Sequence, residues 1–256
     1  MNNVRYLISL MAALASPLAM AADMTAAQVA DRNVAARGGL AAWRAIGSMT
    51  LTGEMDAGGT PAVRLPFEMS LKRPNKSRLE IHVKDQTAVQ VYDGQQGWKM
   101  RPYLNRNDVE PFTRVETQAA ADEAELDGPL VDYARKGTRI ELAGTEKVEG
   151  RNAYRLHLTQ ADGHQINLWI DAATFLDVKV DGEPRRLDNR MHKVAIFYRD
   201  FKRVDGVQVP MTLETVVDGV RPSRKITFKT VTVNPSLTEA LFTKPQVAPV
   251  RQASAQ

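Results

Sequence analysis

The sequence predicts a mainly β chain of the α+β class, one curved antiparallel sheet with a few helices. Two observations predict it, the turn pairs and the alternation between them. Six Asp-Gly pairs punctuate stretches that alternate apolar and polar residues: Asp93-Gly94, Asp127-Gly128, Asp162-Gly163, Asp181-Gly182, Asp205-Gly206 and Asp218-Gly219. Asp-Gly between alternating runs is a strong hairpin signal, because a tight primed turn needs positive φ at its centre. Up to five of the pairs fit that role. The chain also opens on a segment of export character, and it contains no cysteine.

That opening segment is expected to be a secretory signal. Arg5 supplies a positive start, Tyr6 to Leu14 form an apolar stretch too short to span a bilayer, and Ala19-Met20-Ala21 offers a cleavage site. The expected organisation is a signal peptide over 1–21, one domain over 22–245 and a loose tail over 246–256. With no cysteine after the cut, acylation of a new N-terminus is closed, as are disulfides and thiol chemistry. The expected location is a bacterial periplasm. The formal charge is +4, and removing Arg5 leaves 33 bases against 30 acids. So small an excess attracts an anionic membrane weakly and is no nucleic-acid signature.

The elements follow in order. Thr25 to Arg37 is alanine-rich and reads as a helix ended by Gly38-Gly39. Leu40, Trp43 and Ile46 stand at helical spacing in a second short helix, and these three are the expected lid residues. The period then switches to two. Met49, Leu51 and Met55 share a face, followed by Leu65, Phe67 and Met69, then Leu79, Ile81 and Val83. Val89 and Val91 continue the series, with Trp98 and Met100 beyond the Asp93-Gly94 turn. Residues 104 to 137 interrupt the sheet, with an acidic alanine-rich helix over Glu116 to Leu126 and one further turn over Leu130 to Arg135. Strands resume at Arg139 to Thr145, Ala153 to Gln160, Gln165 to Asp171, Phe175 to Val180, Lys193 to Arg203, Val207 to Val217 and Ser223 to Val233. Within them Tyr154, Leu156 and Leu158 share a face, as do Ile166, Leu168 and Ile170, and Val209, Met211 and Leu213.

No residue set points to catalysis. His82, His157, His164 and His192 lie in separate strands or turns without metal-ligand spacing. No nucleophile elbow, Rossmann glycine series or phosphate loop occurs. The expectation is therefore no catalytic residue, no metal and no cofactor. The strand methionines Met49, Met55, Met69, Met100 and Met211 suit an adaptable apolar wall and equally suit ordinary core. A sheet of about a dozen strands tends to curl, and a thin helical cover over a curled sheet leaves a cavity. The apolar strand residues named above are its expected lining.

Four stretches carry a family resemblance. They are Arg37-Gly38-Gly39-Leu40 through Trp43 to Gly53-Glu54-Met55, and Asp127-Gly128-Pro129-Leu130 with Lys136-Gly137. The others are Gly144 through Val148-Glu149-Gly150 to Leu168-Trp169-Ile170-Asp171, and Val204 to Pro210 with Val233-Asn234-Pro235, Phe242 and Pro245. In that order they resemble the outer-membrane lipoprotein-sorting family, whose members share the LolA/LolB-like fold. The resemblance implies an incomplete antiparallel barrel with a helical lid. It implies a carrier or binder of lipid or of lipoprotein acyl chains, with an inner- or outer-membrane protein as donor or acceptor. A regulatory or scaffold module with a protein partner is the alternative, and a hydrolase the third reading. The sequence leaves the oligomeric state open, with a monomer as the expectation.

Overall fold

The computed structural model describes residues 24–59 and 61–246. The signal segment and most of the tail lie outside them. Three helices occur: α1 (Ala26–Ala36), α2 (Leu40–Arg44) and α3 (Arg114–Glu123). The strands of the first half are β1 (Ser48–Asp56), β2 (Arg64–Lys72), β3 (Lys76–Val83), β4 (Gln86–Tyr92), β5 (Gly97–Arg101) and β6 (Arg106–Pro111). Those of the second half are β7 (Arg139–Val148), β8 (Arg151–Thr159), β9 (Gln165–Asp171), β10 (Asp177–Leu187), β11 (Arg190–Val204), β12 (Val207–Val217) and β13 (Arg224–Val233).

All thirteen strands form one antiparallel sheet in the order β6-β5-β4-β3-β2-β1-β13-β12-β11-β10-β9-β8-β7. Each half is an up-and-down meander, and the pairing of β1 with β13 joins the halves. The sheet does not close: β6 and β7 are its edges, and residues 112–138 span the gap between them. The result is an incomplete barrel with a concave apolar side. Antiparallel order sorts the turns onto two rims. The lower rim carries the β2–β3, β4–β5, β7–β8, β9–β10 and β11–β12 turns. The upper rim carries the β1–β2, β3–β4, β5–β6, β8–β9, β10–β11 and β12–β13 turns.

The helices begin where local chemistry starts them. Thr25 caps α1 and Thr113 caps α3, each in a reciprocal box with Gln28 or Glu116 three residues on, so two orphan amides are satisfied at each start. They dock on the concave side. Val29 and Ala30 of α1 are buried against Leu156, Leu158, Leu168, Ile170 and Val180. Trp43 of α2 and Ile46 just after it are buried with Met49, Leu51, Leu71, Val207, Val209 and Met211. Leu130 and Val131, from the gap-spanning segment, enter one cluster each.

Several expectations need correction. Asp181-Gly182 is not a turn: it lies inside β10, and Asp181 accepts hydrogen bonds from Asn167 N (3.2 Å) and Nδ2 (2.7 Å) on the neighbouring strand. The hairpin turn comes later, at Asp188-Asn189, so β10 and β11 run longer than the alternation suggests. Asp127-Gly128, read as the break after the acidic helix rather than a hairpin, does follow α3. The interruption after residue 104 contains a strand, β6, and Leu130 to Arg135 form turns rather than helix.

The most instructive correction concerns register. Val83 pairs with Gln86 across the two-residue Lys84-Asp85 turn, so odd positions on β3 face even positions on β4. The concave face of β4 is therefore Ala88, Gln90 and Tyr92. Val89, Val91, Trp98 and Met100 sit on the convex side, opposite the expected lining. Carrying one parity through an even turn flips every following side chain. Val89 and Val91 are buried there all the same. On that side the C-terminal 3-10 turn, Glu239–Phe242, packs on β3, held by Lys72 Nζ to Leu237 O (2.7 Å) and Arg78 Nη1 to Leu241 O (3.3 Å).

Gly53 occupies a point of close approach. A bulge shifts the β1–β13 register between Thr52 and Gly53, and a Cβ at Gly53 would collide with the carbonyl of Thr227. Phe67 and Phe228 flank the glycine on β2 and β13, and their rings meet edge to face at 5.9 Å. Gly53→Ala is expected to destabilise by about 1–3 kcal/mol through overpacking. Thermal unfolding should show a midpoint lowered by roughly 2–12 °C; an unchanged midpoint would mean that the bulge relaxes freely.

Candidate functional site

The concave face divides into a filled floor and an open upper part. The floor is the buried set packed against Trp43, Ile46 and Val131 on one side and against α1 on the other. The predicted residues Met49, Leu51, Phe67, Val209 and Met211 belong to the first, and Leu156, Leu158, Leu168 and Ile170 to the second. Tyr154 stacks on Phe175 (centroids 6.0 Å apart) at the margin of α1. Of the expected lid residues, Trp43 and Ile46 are fixed core, while Leu40 is exposed at the start of α2.

Above the Phe67–Phe228 pair the lining changes. Leu65, Met55, Ile226, Leu213 and Tyr198 are direct cross-strand neighbours on β2, β1, β13, β12 and β11. All five are only half-buried. At a strand spacing of about 4.8 Å this row spans roughly 19 Å. Met69, Leu79, Ile81, Val83 and Ile166 extend the half-buried apolar lining on β2, β3 and β9. Strand registry thus brings eighteen of the predicted residues to one face and leaves nine of them partly buried; Met55, Leu65, Ile81, Val83, Ile166 and Leu213 lie level with the Phe67–Phe228 pair or towards the upper rim, while Met69, Leu79 and Tyr154 lie lower. Ile226 and Tyr198 were missed. Ile226 falls beyond the Gly53 bulge, and Tyr198 lies in a run, Ile196-Phe197-Tyr198, that is apolar at every position and shows no alternation.

The floor is held by a buried polar hub that sequence reasoning did not assemble. Asp127, 2% exposed, accepts hydrogen bonds from Arg73 Nη2 (2.6 Å) and Lys136 Nζ (2.7 Å). Its backbone carbonyl accepts from Arg37 Nη1 (3.0 Å). Arg73 also donates to the carbonyls of Ile46 (2.7 Å) and Trp43 (3.1 Å), tying the end of α2 to the β2–β3 turn. The Arg37 guanidinium lies over the Trp43 ring at 4.5 Å, and Trp43 Nε1 donates to Arg37 O (3.1 Å). A Cβ at Gly38 would stand 2.5 Å from Gly206 O, so the turn after α1 fits against the β11–β12 turn only as glycine. The Arg37-Gly38-Gly39, Asp127-Gly128 and Asp205-Gly206 stretches therefore meet at one place.

A second polar contact sits deeper. A bulge at Val178/Lys179 turns Asp177 inward, where it accepts from Asn33 Nδ2 (2.9 Å) and faces Arg37 Nε at 3.5 Å. Burial pushes the Asp177 carboxyl above the ordinary aspartate value, against the pull of Arg37 and Asn33. Burial, and then the Asp177 carboxylate, push the Tyr198 phenol up as well. These groups brace α1 and offer no nucleophile with a base beside it. Among the described residues no cluster of three or more histidines and carboxylates could hold a metal ion.

One hollow lies elsewhere. It measures about 660 Å³, sits on the convex side at the lower rim, and is lined by Lys76, Asp93, Trp98, Glu239 and Phe242 among others. Glu239, hydrogen-bonded by Lys72 and Lys76, has its pKa lowered to about 2. This is where the structure places Trp98, away from the concave lining.

Neither a protein-family model nor a curated protein sequence matches the chain. Solved structures do. A LolA superfamily protein from Nitrosomonas europaea aligns with a TM-score of 0.58 at 14% identity, covering 86% of this chain and 98% of that one. A domain assigned to outer membrane lipoprotein sorting from Vibrio parahaemolyticus gives 0.58 at 14% identity, covering 86% and 96%. A DUF1329 family protein from Desulfovibrio piger gives 0.58 at 15% identity, covering 84% and 95%. The chain has the LolA-like fold.

The hub makes a stability prediction. Asp127→Ala removes the carboxylate shared by Arg73 and Lys136, which are themselves partly exposed and can turn to water. The expected loss is about 2 kcal/mol, below the 3–5 kcal/mol of a fully buried broken pair. Thermal unfolding should fall by roughly 4–8 °C, and adding Lys136→Met should restore part of it; additive losses in the double variant would show that the two groups are not coupled.

Proposed function

We propose that the protein is a periplasmic carrier or binder of lipids or lipoprotein acyl chains, which it holds on the upper concave face. One observation carries the reading: the five-strand row Leu65–Met55–Ile226–Leu213–Tyr198 remains half-open above a sealed floor. A folded chain gains by covering such a row, since burial is worth about 25 cal/mol per Å². An acyl chain laid along it adds about 0.8 kcal/mol per buried methylene, with no polar machinery required. The structures of similar fold, one of them assigned to lipoprotein sorting, support the same reading.

The mechanism differs from the opening of a lid. Trp43 and Ile46, the expected lid residues, are locked beneath the row by the Arg37–Asp127–Arg73 hub. A guest enters from the upper rim and lies across the strands, while the floor stays shut. The methionines at the wall, Met55 and Met69, have flexible side chains that accommodate chains of differing length. Release then requires only a better apolar site at the same rim, and no chemical step is involved.

Uptake of a fluorescent fatty acyl probe tests this. Saturable binding is expected, and both Ile226→Glu and Leu213→Glu should weaken it at least tenfold by placing a charge in the row. Thr227→Glu, on the convex face beside Ile226, should leave uptake intact. Absence of uptake by the parent protein, together with lipid-free native mass spectra of material secreted by bacteria, would overturn the proposal.

A further inference from the structure

The upper rim has a composition unlike the rest of the surface. Five of the seven exposed large apolar residues among those described lie there: Val63, Tyr103, Leu104, Leu187 and Met191. Charge collects at its centre. The neighbouring β1–β2, β12–β13 and β10–β11 tips, residues 56–64, 218–225 and 183–193, hold eight bases and four acids. Their net charge of +4 equals that of the whole 256-residue chain, so the remainder sums to neutrality. All eight bases are exposed. Seven of the eight, Lys225 excepted, have no carboxylate partner within 4 Å among the described residues; elsewhere some bases are paired, such as Arg199 and Lys229, and others, such as Lys147, Lys202 and Arg203, are not.

The β10–β11 tip also stands proud. Pairing of β11 with β12 ends at Val194–Val217, and pairing of β10 with β9 ends at Val180–Leu168. Beyond these points the base of the ribbon is still tied to its neighbours, Lys193 O accepting from Asp218 N (2.9 Å), His192 Nδ1 bonded to Asp218 O (2.7 Å) and His164 Nε2 facing Glu183 at 3.3 Å, while the tip itself pairs through Arg185–His192, Arg186–Met191 and Leu187–Arg190. A register shift at its base twists it. Each face of the ribbon carries one arginine pair member beside one exposed apolar side chain: Leu187 with Arg190, and Met191 with Arg186. Met191 is 65% exposed, which water disfavours for so large an apolar group. Long arginine stems around apolar tips are the arrangement that seats at a headgroup layer, with charge at the phosphates and carbon below.

We propose that this rim docks on the surface of an anionic lipid bilayer, led by the β10–β11 ribbon. The inference stands on the rim itself and not on acyl binding. If both hold, docking sets the open end of the apolar row against the membrane, so that an acyl chain passes between them without crossing water.

Vesicle flotation tests it, using protein purified from a secreting bacterial host. Binding is expected to phosphatidylcholine vesicles that contain phosphatidylglycerol, with little to phosphatidylcholine alone, and it should fall as salt is raised. Each base near an anionic surface contributes roughly fivefold to partitioning. The variant Arg185→Gln/Arg186→Gln/Arg190→Gln should therefore lose well over tenfold, and Leu187→Ser/Met191→Ser should lose binding even at low salt. Lys147→Gln/Lys202→Gln/Arg203→Gln, away from the upper rim, should bind as the parent does. Failure of the parent to bind anionic vesicles would overturn the proposal and leave a protein partner for the rim. So would equal loss in the Lys147/Lys202/Arg203 variant, or full binding by both rim variants. Acyl-probe uptake in the same variants separates the two ideas: it should persist where flotation is lost.

Discussion

The gap between β6 and β7 governs this molecule. The first and last strands pair, yet the sheet does not close: it stays open in the middle of the chain. Twenty-seven residues, 112–138, must then travel from one edge to the other. Crossing over the concave side lets Leu130 and Val131 bury themselves, but it also takes backbone and charge out of water. The Asp127 carboxylate, with Arg73 and Lys136 upon it and Arg37 on its carbonyl, satisfies those groups where the segment turns. Without such partners the crossing would cost several kcal/mol for the unmatched charge alone.

That solution fixes the rest of the architecture. The hub lies at the lower rim, because Arg73 comes from the β2–β3 turn and Arg37 from the end of α1. Everything anchored to it, Trp43 and Ile46 above all, fills the lower half of the concave side. Among the described residues no further helix covers the upper half. An apolar face is thereby left partly wet by topology, with buried and open portions in continuous contact through the Phe67–Phe228 pair. The two portions differ in role although they are alike in composition, since both are lined by Met, Leu, Ile and Val.

Much of this was legible in the sequence. Alternation found the sheet and its apolar face on β1, β2, β3, β8, β9 and β12, because each of those strands has one dry side and one wet side. Four of the six Asp-Gly pairs do connect strands. The errors have physical causes. Lys84-Asp85 is an even turn, so the parity that placed Val89, Val91, Trp98 and Met100 inside was carried across one residue out of phase. On that side the C-terminal 3-10 turn packs on β3, and its Phe242 lines one hollow with Trp98, a long-range arrangement that no local window contains. Asp127 looked like any turn aspartate, since its cations come from 54 residues before it and 9 after. The β10–β11 ribbon was hidden by Asp181-Gly182, whose turn-like pair sits in mid-strand.

The arrangement also explains why polar groups and the candidate binding surface scarcely overlap. A site that works on acyl chains by burial alone gains nothing from charge in its wall, where an unpaired group would cost several kcal/mol. Two sets of polar side chains frame the Leu65–Tyr198 row. At the floor, Asp127, Asp177, Arg37 and Asn33 are paired and buried, which holds the helices rigid. At the rim, arginines are unpaired and exposed, which leaves them free for an outside partner. Between the two lies the Leu65–Met55–Ile226–Leu213–Tyr198 row, with a single hydroxyl at its end. On the proposed reading, bracing, guest and docking are separated along one axis, so that a ligand exchanged at the rim leaves the braced floor in place.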